Sequence, residues 1–479
     1  MPLLDPTIWQ DGPTLRGGTA PVLEPATGRT LATLDLAAPP DVAEAALRAR
    51  AAQQDWARAT HVERAAVLRR AGDLFAAHAE ELRTWLVRES GSLPGKADFE
   101  LSVAAQECYE AAALASRPTG QVLPSEAPRL SWTRRVPAGV VGVIAPFNVP
   151  LVLAVRSVAP ALALGNAVLL KPDRRTAVCG GLALAAVLAA AGLPGGLLHV
   201  LPGDAATGQA LVTDPHVRIV SFTGSTATGR RVGELAGRHL KRAHLELGGN
   251  SALVVLRDAD VEAAVAQASW GAFFHQGQIC MTAGRHLVHS SLYDEYVERL
   301  AAKADTLAVG DPFREQVHLG PLIDRTQRER VHALVEASTE QGAKLVTGGT
   351  YDDLFYRPTV LAGVADDTPA YAEEVFGPVA PVRSFATEDE AVALASAGPY
   401  GLSLGIVTPD TGRALELAER IPTGIAHIND QTVNDEAVAP FGGLGASGTG
   451  ARFGGEANLE AFTELRWTTS RRTPAGHPF

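Results

Sequence analysis

Between residues 140 and 222 the chain repeats one pattern four times. Short apolar runs at 140–145, 167–170, 197–200 and 218–222 are each soon followed by proline or glycine. Most then lead into an Ala/Leu-rich stretch. Runs of four to six apolar residues without polar alternation suit strands buried on both faces, and such strands belong to parallel sheets covered by helices. The pattern restarts at 251–256 and continues to about Gly424. It predicts an α/β protein of two domains, with a boundary near Gly248 and Gly249. Upstream, residues 41–115 read as helical, because Leu68, Leu74, Phe75, Leu82 and Leu86 recur near helical spacing. Residues 117–136 differ. They hold Pro118, Pro124 and Pro128 and the alternating Leu130, Trp132, Arg134 and Val136, which predicts an extended arm or hairpin.

Composition narrows the class. The 479 residues are 46% hydrophobic and 20% charged, enough for a large core. A net charge of -11 without any basic run disfavours nucleic acid and anionic membrane as partners. Cys108, Cys179 and Cys280 are odd in number and widely spaced, which predicts neither a disulfide framework nor a metal cluster and fits a reducing, cytoplasmic setting. No secretory leader is read at residues 1–6, and no apolar stretch is long enough to span a bilayer.

Three polar positions stand out as candidate chemistry. Cys280 closes the run Phe274-His275-Gln276-Gly277-Gln278-Ile279-Cys280-Met281, whose glutamines and glycine are unlike a core strand. Cys108 and Cys179 instead lie in Ala-rich helical stretches and read as small apolar residues. A thiolate is both a good nucleophile and a good leaving group. Added to an aldehyde carbon, it makes a tetrahedral centre that can expel hydride, which a free aldehyde does not do readily. Glu246, in Leu245-Glu246-Leu247-Gly248-Gly249, lies 34 positions upstream of Cys280. It is a carboxylate placed to activate water against the resulting thioester. Asn148, in Ala145-Pro146-Phe147-Asn148, offers a side-chain amide to an oxyanion, with the Cys280 backbone N–H as second donor.

A dinucleotide site is less conventional. Gly443-Leu444-Gly445-Ala446-Ser447-Gly448 matches the glycine fingerprint but has no strand before it, and reads as a decoy. The run 222–229, Phe-Thr-Gly-Ser-Thr-Ala-Thr-Gly, follows an apolar run and opens a helix, so its N–H groups can face a pyrophosphate. Lys171 ends another strand and suits ribose hydroxyls or phosphate.

Together these segments resemble the aldehyde dehydrogenase superfamily over nearly the whole chain. The resemblance implies Cys280 as nucleophile, Glu246 as general base and Asn148 as oxyanion donor. It matches Lys171 to the adenosine-ribose lysine, and Gly224 and Ser225 to the pyrophosphate loop. Glu374 and Phe376 match the pair around the nicotinamide ribose and ring, with Phe147 beside the cofactor. The implied fold is a Rossmann-like NAD(P)-binding domain (1–117 and 137–248), an α/β catalytic domain (249–457) and a β oligomerisation arm (118–136 and 458–479). A homodimer or homotetramer follows. The stretches 285–288, 428–436 and 441–448 look like benzaldehyde dehydrogenases, with vanillin and salicylaldehyde dehydrogenases sharing close variants. That implies an aromatic aldehyde as substrate, against broader or aliphatic specificity, a CoA-acylating relative or a catalytically silent member.

Two positions modify the expectation. Many NAD-using members have Glu three residues after the lysine, and here that residue is Arg174. A carboxylate there favours NAD, whereas a guanidinium accepts the 2′-phosphate of NADP, so either cofactor remains open, with Asp173 a substitute ribose contact. Beyond Asn148, Val149, Val152, Leu153 and Arg156 share one face if the stretch is helical, and together with Ile279 and Met281 would line the substrate channel. Arg156 stands where many members carry a large aromatic residue. Two readings are open for it: a stacking or hydrogen-bonding partner for an aryl substrate, or an interior ion pair.

Overall fold

The computed structural model describes residues 3–4, 15–117 and 119–476; Pro118 of the expected arm and the last three residues, 477–479, lie outside them. The chain opens with an antiparallel pair, β1 (Thr19–Leu23) and β2 (Thr30–Asp35), which the sequence pattern does not announce. The helical segment divides into α1 (Pro39–Trp56), α2 (His61–Ala77), α3 (Ala79–Ser90) and α4 (Pro94–Leu114). Leu68, Phe75, Leu82 and Leu86 are buried in one core, with Leu74 partly buried against it. Helix starts are marked locally: Thr60 and Glu63 form a reciprocal capping box on α2, and Pro94 takes the first turn of α4.

The apolar runs form two sheets. Strands β4 (Val140–Ile144), β5 (Ala167–Lys171), β6 (Leu198–Val200), β7 (Val217–Thr223) and β8 (Arg242–Glu246) make an all-parallel sheet in the order β6-β5-β4-β7-β8. The order reverses between β4 and β7. In open α/β sheets the carboxyl ends on either side of such a reversal flank a crevice that takes ligands. Four of the candidate segments leave those ends: Ala145–Asn148 after β4, Lys171 closing β5, Gly224 and Ser225 after β7, and Glu246 closing β8.

The second sheet has seven strands and includes β9 (Ser251–Val255) and β10 (Ala283–His289) near its centre. Its strands pair in parallel except for one edge, where Lys344–Thr347 runs antiparallel to Thr359–Ala362. A separate antiparallel pair joins β3 (Leu130–Pro137) to the Thr463–Ser470 strand, so the two segments expected to share an arm lie side by side. Leu465 and Trp467 are exposed on it. Helix α5 (Pro150–Ala163) follows β4 and is buried along its whole length. Val149 is its cap, with φ of -125° and ψ of 63°, not a helical residue as the channel-face reading supposed. Among the described residues, no helix is long and apolar enough to cross a membrane.

Candidate active site

The nucleophile candidate sits on a strained turn. His275, Gln276 and Gly277 have φ of 49°, 56° and 66°, the left-handed region that non-glycine residues rarely adopt. The surroundings hold this conformation. The Gln276 side-chain amide donates to the carbonyls of Pro321 at 2.8 Å and Gly91 at 3.1 Å. Gln278 Oε1 accepts from Ile323 N–H at 3.1 Å. Gly277 lies so close to Gly377 that a Cβ would fall 2.2 Å from its carbonyl oxygen. The turn ends at Cys280, half-buried on the wall of a cavity of about 910 Å³.

Asn148 reaches the same turn from the first sheet, its Nδ2 donating to the Gln278 carbonyl at 2.8 Å. Cys280 and Asn148 share the cavity wall with Val149, Val152, Leu153 and Arg156, as well as Ile279 and Met281. The candidate substrate residues are therefore all brought to one space. Glu246 lies off that wall, 3% exposed at the end of β8, and neither carboxylate oxygen has a hydrogen-bond partner among the described residues. Its neighbour Gly249 approaches Cys280 so closely that a Cβ would be 2.3 Å from the Cys280 carbonyl oxygen.

Burial dominates the electrostatics. The Cys280 thiol is pushed up to about 12, first by burial and then by the carboxylates of Glu374 and Glu246, with Arg156 opposing. Burial also holds Glu246 well above the usual carboxylate range, again with Arg156 opposing. Burial thus disfavours the ionised form of both groups, and thiolate formation and base catalysis each work against it. Arg156 is 1% exposed and bound to Asp435 at 2.5 Å and Glu107 at 3.3 Å. Its guanidinium lies 4.8 Å from the Phe441 ring centroid, and its Nε and Nη1 have no hydrogen-bond partner among the described residues. An ion pair and a place on the cavity wall are thus both properties of this one side chain.

A second groove opens at the carboxyl ends of the first sheet, lined by Lys171, Asp173, Arg174, Gly203, Asp204 and Gln327 among others. Arg174 is exposed there. Asp173 is not free for a ribose: Arg175 takes both its oxygens, bonding Asp324 as well, and lies 4.2 Å over the Phe147 ring. Ser225 caps the Thr226–Arg238 helix through the Thr228 N–H. Gly224 leaves no room for a side chain, since a Cβ would be 2.7 Å from the Phe222 ring. Glu374 accepts from the Gly249 N–H at 3.0 Å, and burial raises its carboxyl to about 7. Phe376, with φ of 56°, packs edge-on to Phe147 at 5.8 Å. The Gly443–Gly448 run does not join a strand to a helix; its Leu444 and Gly445 pair antiparallel with Gly401 and Tyr400. It folds back on β8, with Leu247 N–H donating to Ser447 O and Gly448 bridging Glu246.

The sequence model of the aldehyde dehydrogenase family matches residues 10–468. The chain belongs to the aldehyde dehydrogenase family. It is 69% identical over 464 residues to a vanillin dehydrogenase from Amycolatopsis sp., covering 97% of this chain and 96% of that one. It is 49% identical over 465 residues to a benzaldehyde dehydrogenase [NAD(+)] from Pseudomonas putida, again covering 97% and 96%. A crystal structure of a salicylaldehyde dehydrogenase from Pseudomonas putida G7, complexed with salicylaldehyde, superposes with a TM-score of 0.92 at 35% identity, covering 96% of both chains.

The groove holds the half-buried Lys171 and the exposed Arg174, cationic groups that suit the ribose and phosphate of a dinucleotide, while Gly224, Ser225, Glu374 and Phe376 lie outside its lining. Several cavity residues were not singled out from the sequence. Trp270 and Phe274 stack at 4.4 Å on its wall, and Phe99 and Asp435 also line it. The adjacent aromatic pair Phe273-Phe274, next to the Cys280 turn, was the available signal. Asp435 lies in a segment noted only for its likeness to relatives.

Proposed function

We propose that the chain oxidises an aromatic aldehyde to its carboxylic acid, with NAD or NADP as the hydride acceptor. The observation that carries this reading is the single cavity that brings Cys280 and the Asn148 amide to a wall of aromatic and branched apolar side chains. Flat apolar surfaces favour a ring over a short alkyl chain by the contact area they remove from water. The activities of the vanillin, benzaldehyde and salicylaldehyde dehydrogenases that the chain resembles point the same way.

In this reading Cys280 loses its thiol proton to solvent, its sulfur bonds to the aldehyde carbon, and the carbonyl π bond breaks as the oxygen takes up negative charge beside the Asn148 Nδ2. Lys171, Arg174, Gly224, Ser225, Glu374, Phe376 and Phe147 would hold the dinucleotide, which supplies the hydride acceptor when bound. Once the carbon is oxidised, the acyl group is a Cys280 thioester. Glu246 takes a proton from water, the hydroxide adds to the thioester, and the carbon–sulfur bond breaks to release the acid. Burial of Glu246 favours this role, because a carboxylate held well above its usual range is a stronger base when it does ionise. Its presence also argues against CoA as the acyl acceptor.

The sheet containing β4–β8 would carry the cofactor, and the seven-stranded sheet the catalytic turn. The exposed β3 and Thr463–Ser470 pair would join copies of the chain as a dimer or tetramer in the cytoplasm. The test is initial rates for aryl and aliphatic aldehydes with NAD and NADP, with acid measured in the absence of CoA. Stoichiometric acid from aryl aldehydes supports the reading. Dependence on CoA, or near-normal turnover by Cys280→Ser, overturns it. Cys108→Ser and Cys179→Ser should keep most activity, since both thiols are buried away from the cavity.

A further inference from the structure

A buried ion pair with no part in the reaction so far lies behind Asn148. Lys96 and Glu100, one helical turn apart at the start of α4, are 2% and 0% exposed and bond to each other. Each also grips the segment that carries Asn148. The Lys96 Nζ donates to the Asn148 carbonyl at 2.7 Å. Glu100 Oε2 accepts from the Leu151 N–H at 3.1 Å.

The second contact has a clear local cause. Helix α5 needs an acceptor for its first N–H groups, but its cap residue is Val149, which has none, and Pro150 follows it. Glu100 supplies the missing cap from another helix. Its negative charge also faces the positive end of α5. The backbone is thus held at Asn148 and again at Leu151, three residues later. The Asn148 side chain is held separately at the Gln278 carbonyl. Taking two charges out of water is costly, and a buried pair is weak evidence of a stability gain. What this pair does is hold the backbone from which the Asn148 side chain projects.

We propose that Lys96 and Glu100 are positioning residues that orient the Asn148 amide for the developing oxyanion. Lys96 also lines the substrate cavity, so the clamp stands at the edge of the space the aldehyde enters. Neighbouring Cys179 and His275 are both kept neutral by burial, and they leave the pair's charges to each other and to the backbone. The proposal rests on Asn148 acting as the oxyanion donor.

The experiment measures the pre-steady-state burst of reduced cofactor with benzaldehyde, KM, and thermal stability. It uses Lys96→Met, Glu100→Gln, the apolar double variant Lys96→Met/Glu100→Leu, and Asn148→Ala as reference. Losing an oxyanion donor costs on the order of 10²-fold in rate. The clamp variants are expected to slow the burst about tenfold or more, with KM changed far less, and to add no further loss to Asn148→Ala. The apolar double variant removes the clamp without leaving an unpaired buried charge, so it should fold and still show the slow burst. A burst within about threefold of the parent in that folded double variant would overturn the proposal, as would losses that multiply with Asn148→Ala. A normal burst in Asn148→Ala itself would overturn it differently, by removing Asn148 from the chemistry. A slow burst in Asn148→Ala with a normal one in the clamp variants refutes only the clamp.

Discussion

Replacing Arg156 by Met should destabilise the protein in a pH-dependent way. Arg156 is shared by two carboxylates, and Asp435, at 2.5 Å, is the closer. Glu107, at 3.3 Å and 2% exposed, is left undercompensated, and burial raises it to about 7. Removing the guanidinium leaves Glu107 buried without any cation, and breaking a buried pair from one side costs about 3–5 kcal/mol. For a chain of this length that corresponds to a fall in Tm of about 3–5 °C. A carboxyl whose folded pKa lies above its unfolded value binds more protons when folded, so stability falls as pH rises between the two values. In the parent that window runs from 4.5 to about 7. In Arg156→Met the upper limit moves higher, so between pH 7 and 8 the variant loses a further ~1.4 kcal/mol that the parent does not. Thermal scans of the parent, Arg156→Met and Arg156→Met/Glu107→Leu at pH 7 and 8 test this. The double variant should recover most of the loss, since Asp435 is partly exposed and can rehydrate. In kinetics on that recovered variant the loss of Arg156 beside Cys280 and Glu246 affects both substrate classes alike, and a ring contact shows as a KM that rises more for benzaldehyde-like than for short aliphatic aldehydes. An unchanged Tm at pH 8 in the single variant, or a double variant no more stable than the single, would refute the ion-pair reasoning. Equal KM effects on both substrate classes would refute a ring contact.

Glu246→Gln should retain a burst of reduced cofactor yet lower steady turnover about 10²-fold or more, because hydrolysis of the thioester loses its base. An unchanged steady rate would remove Glu246 from the mechanism, and a lost burst would add thiol activation to its role. In the parent, steady turnover should rise with pH along a limb lying well above the usual carboxylate range, because burial keeps Glu246 protonated and the base works only once ionised. Persistence of that limb in Glu246→Gln would assign it to another group. Arg174→Glu should depress use of NADP far more than NAD, by about 2 kcal/mol in selectivity, as a like charge replaces an opposite one at the rim of the groove. Equal effects on the two cofactors would show that Arg174 does not face the 2′-phosphate.

Local patterns carried most of the architecture. Apolar runs of strand length, punctuated by Pro and Gly, marked four of the five strands of the first sheet, because a strand buried on both faces must be apolar at every position. Strand β8, Arg-Ala-His-Leu-Glu, escaped that rule because its first residues are only partly buried and Arg242 and His244 interrupt the apolar run. The pair β1 and β2 escaped for the same reason, with mostly exposed and intermediate positions. Cys280, Glu246 and Asn148 were legible because their chemistry is unusual for their surroundings, and short motifs keep that signal within a few residues.

The remainder depended on separations that no local pattern records. Whether Arg156 is an ion pair or a substrate contact turns on partners 49 and 279 positions away in the chain. Asp173 looked free for a ribose until Arg175 folded back on it. The cap of α5 comes from Glu100, 51 positions upstream, because Val149 cannot provide one. The left-handed turn before Cys280 has two non-glycine residues that would avoid it in an isolated peptide, and Gly91, Pro321, Ile323 and Asn148, gathered by the fold, hold it in place. Sequence thus fixes which residues are able to do chemistry and which segments are able to be strands. Tertiary packing decides which charges meet and how firmly each reactive side chain is aimed, because those energies exist only between segments that folding brings together.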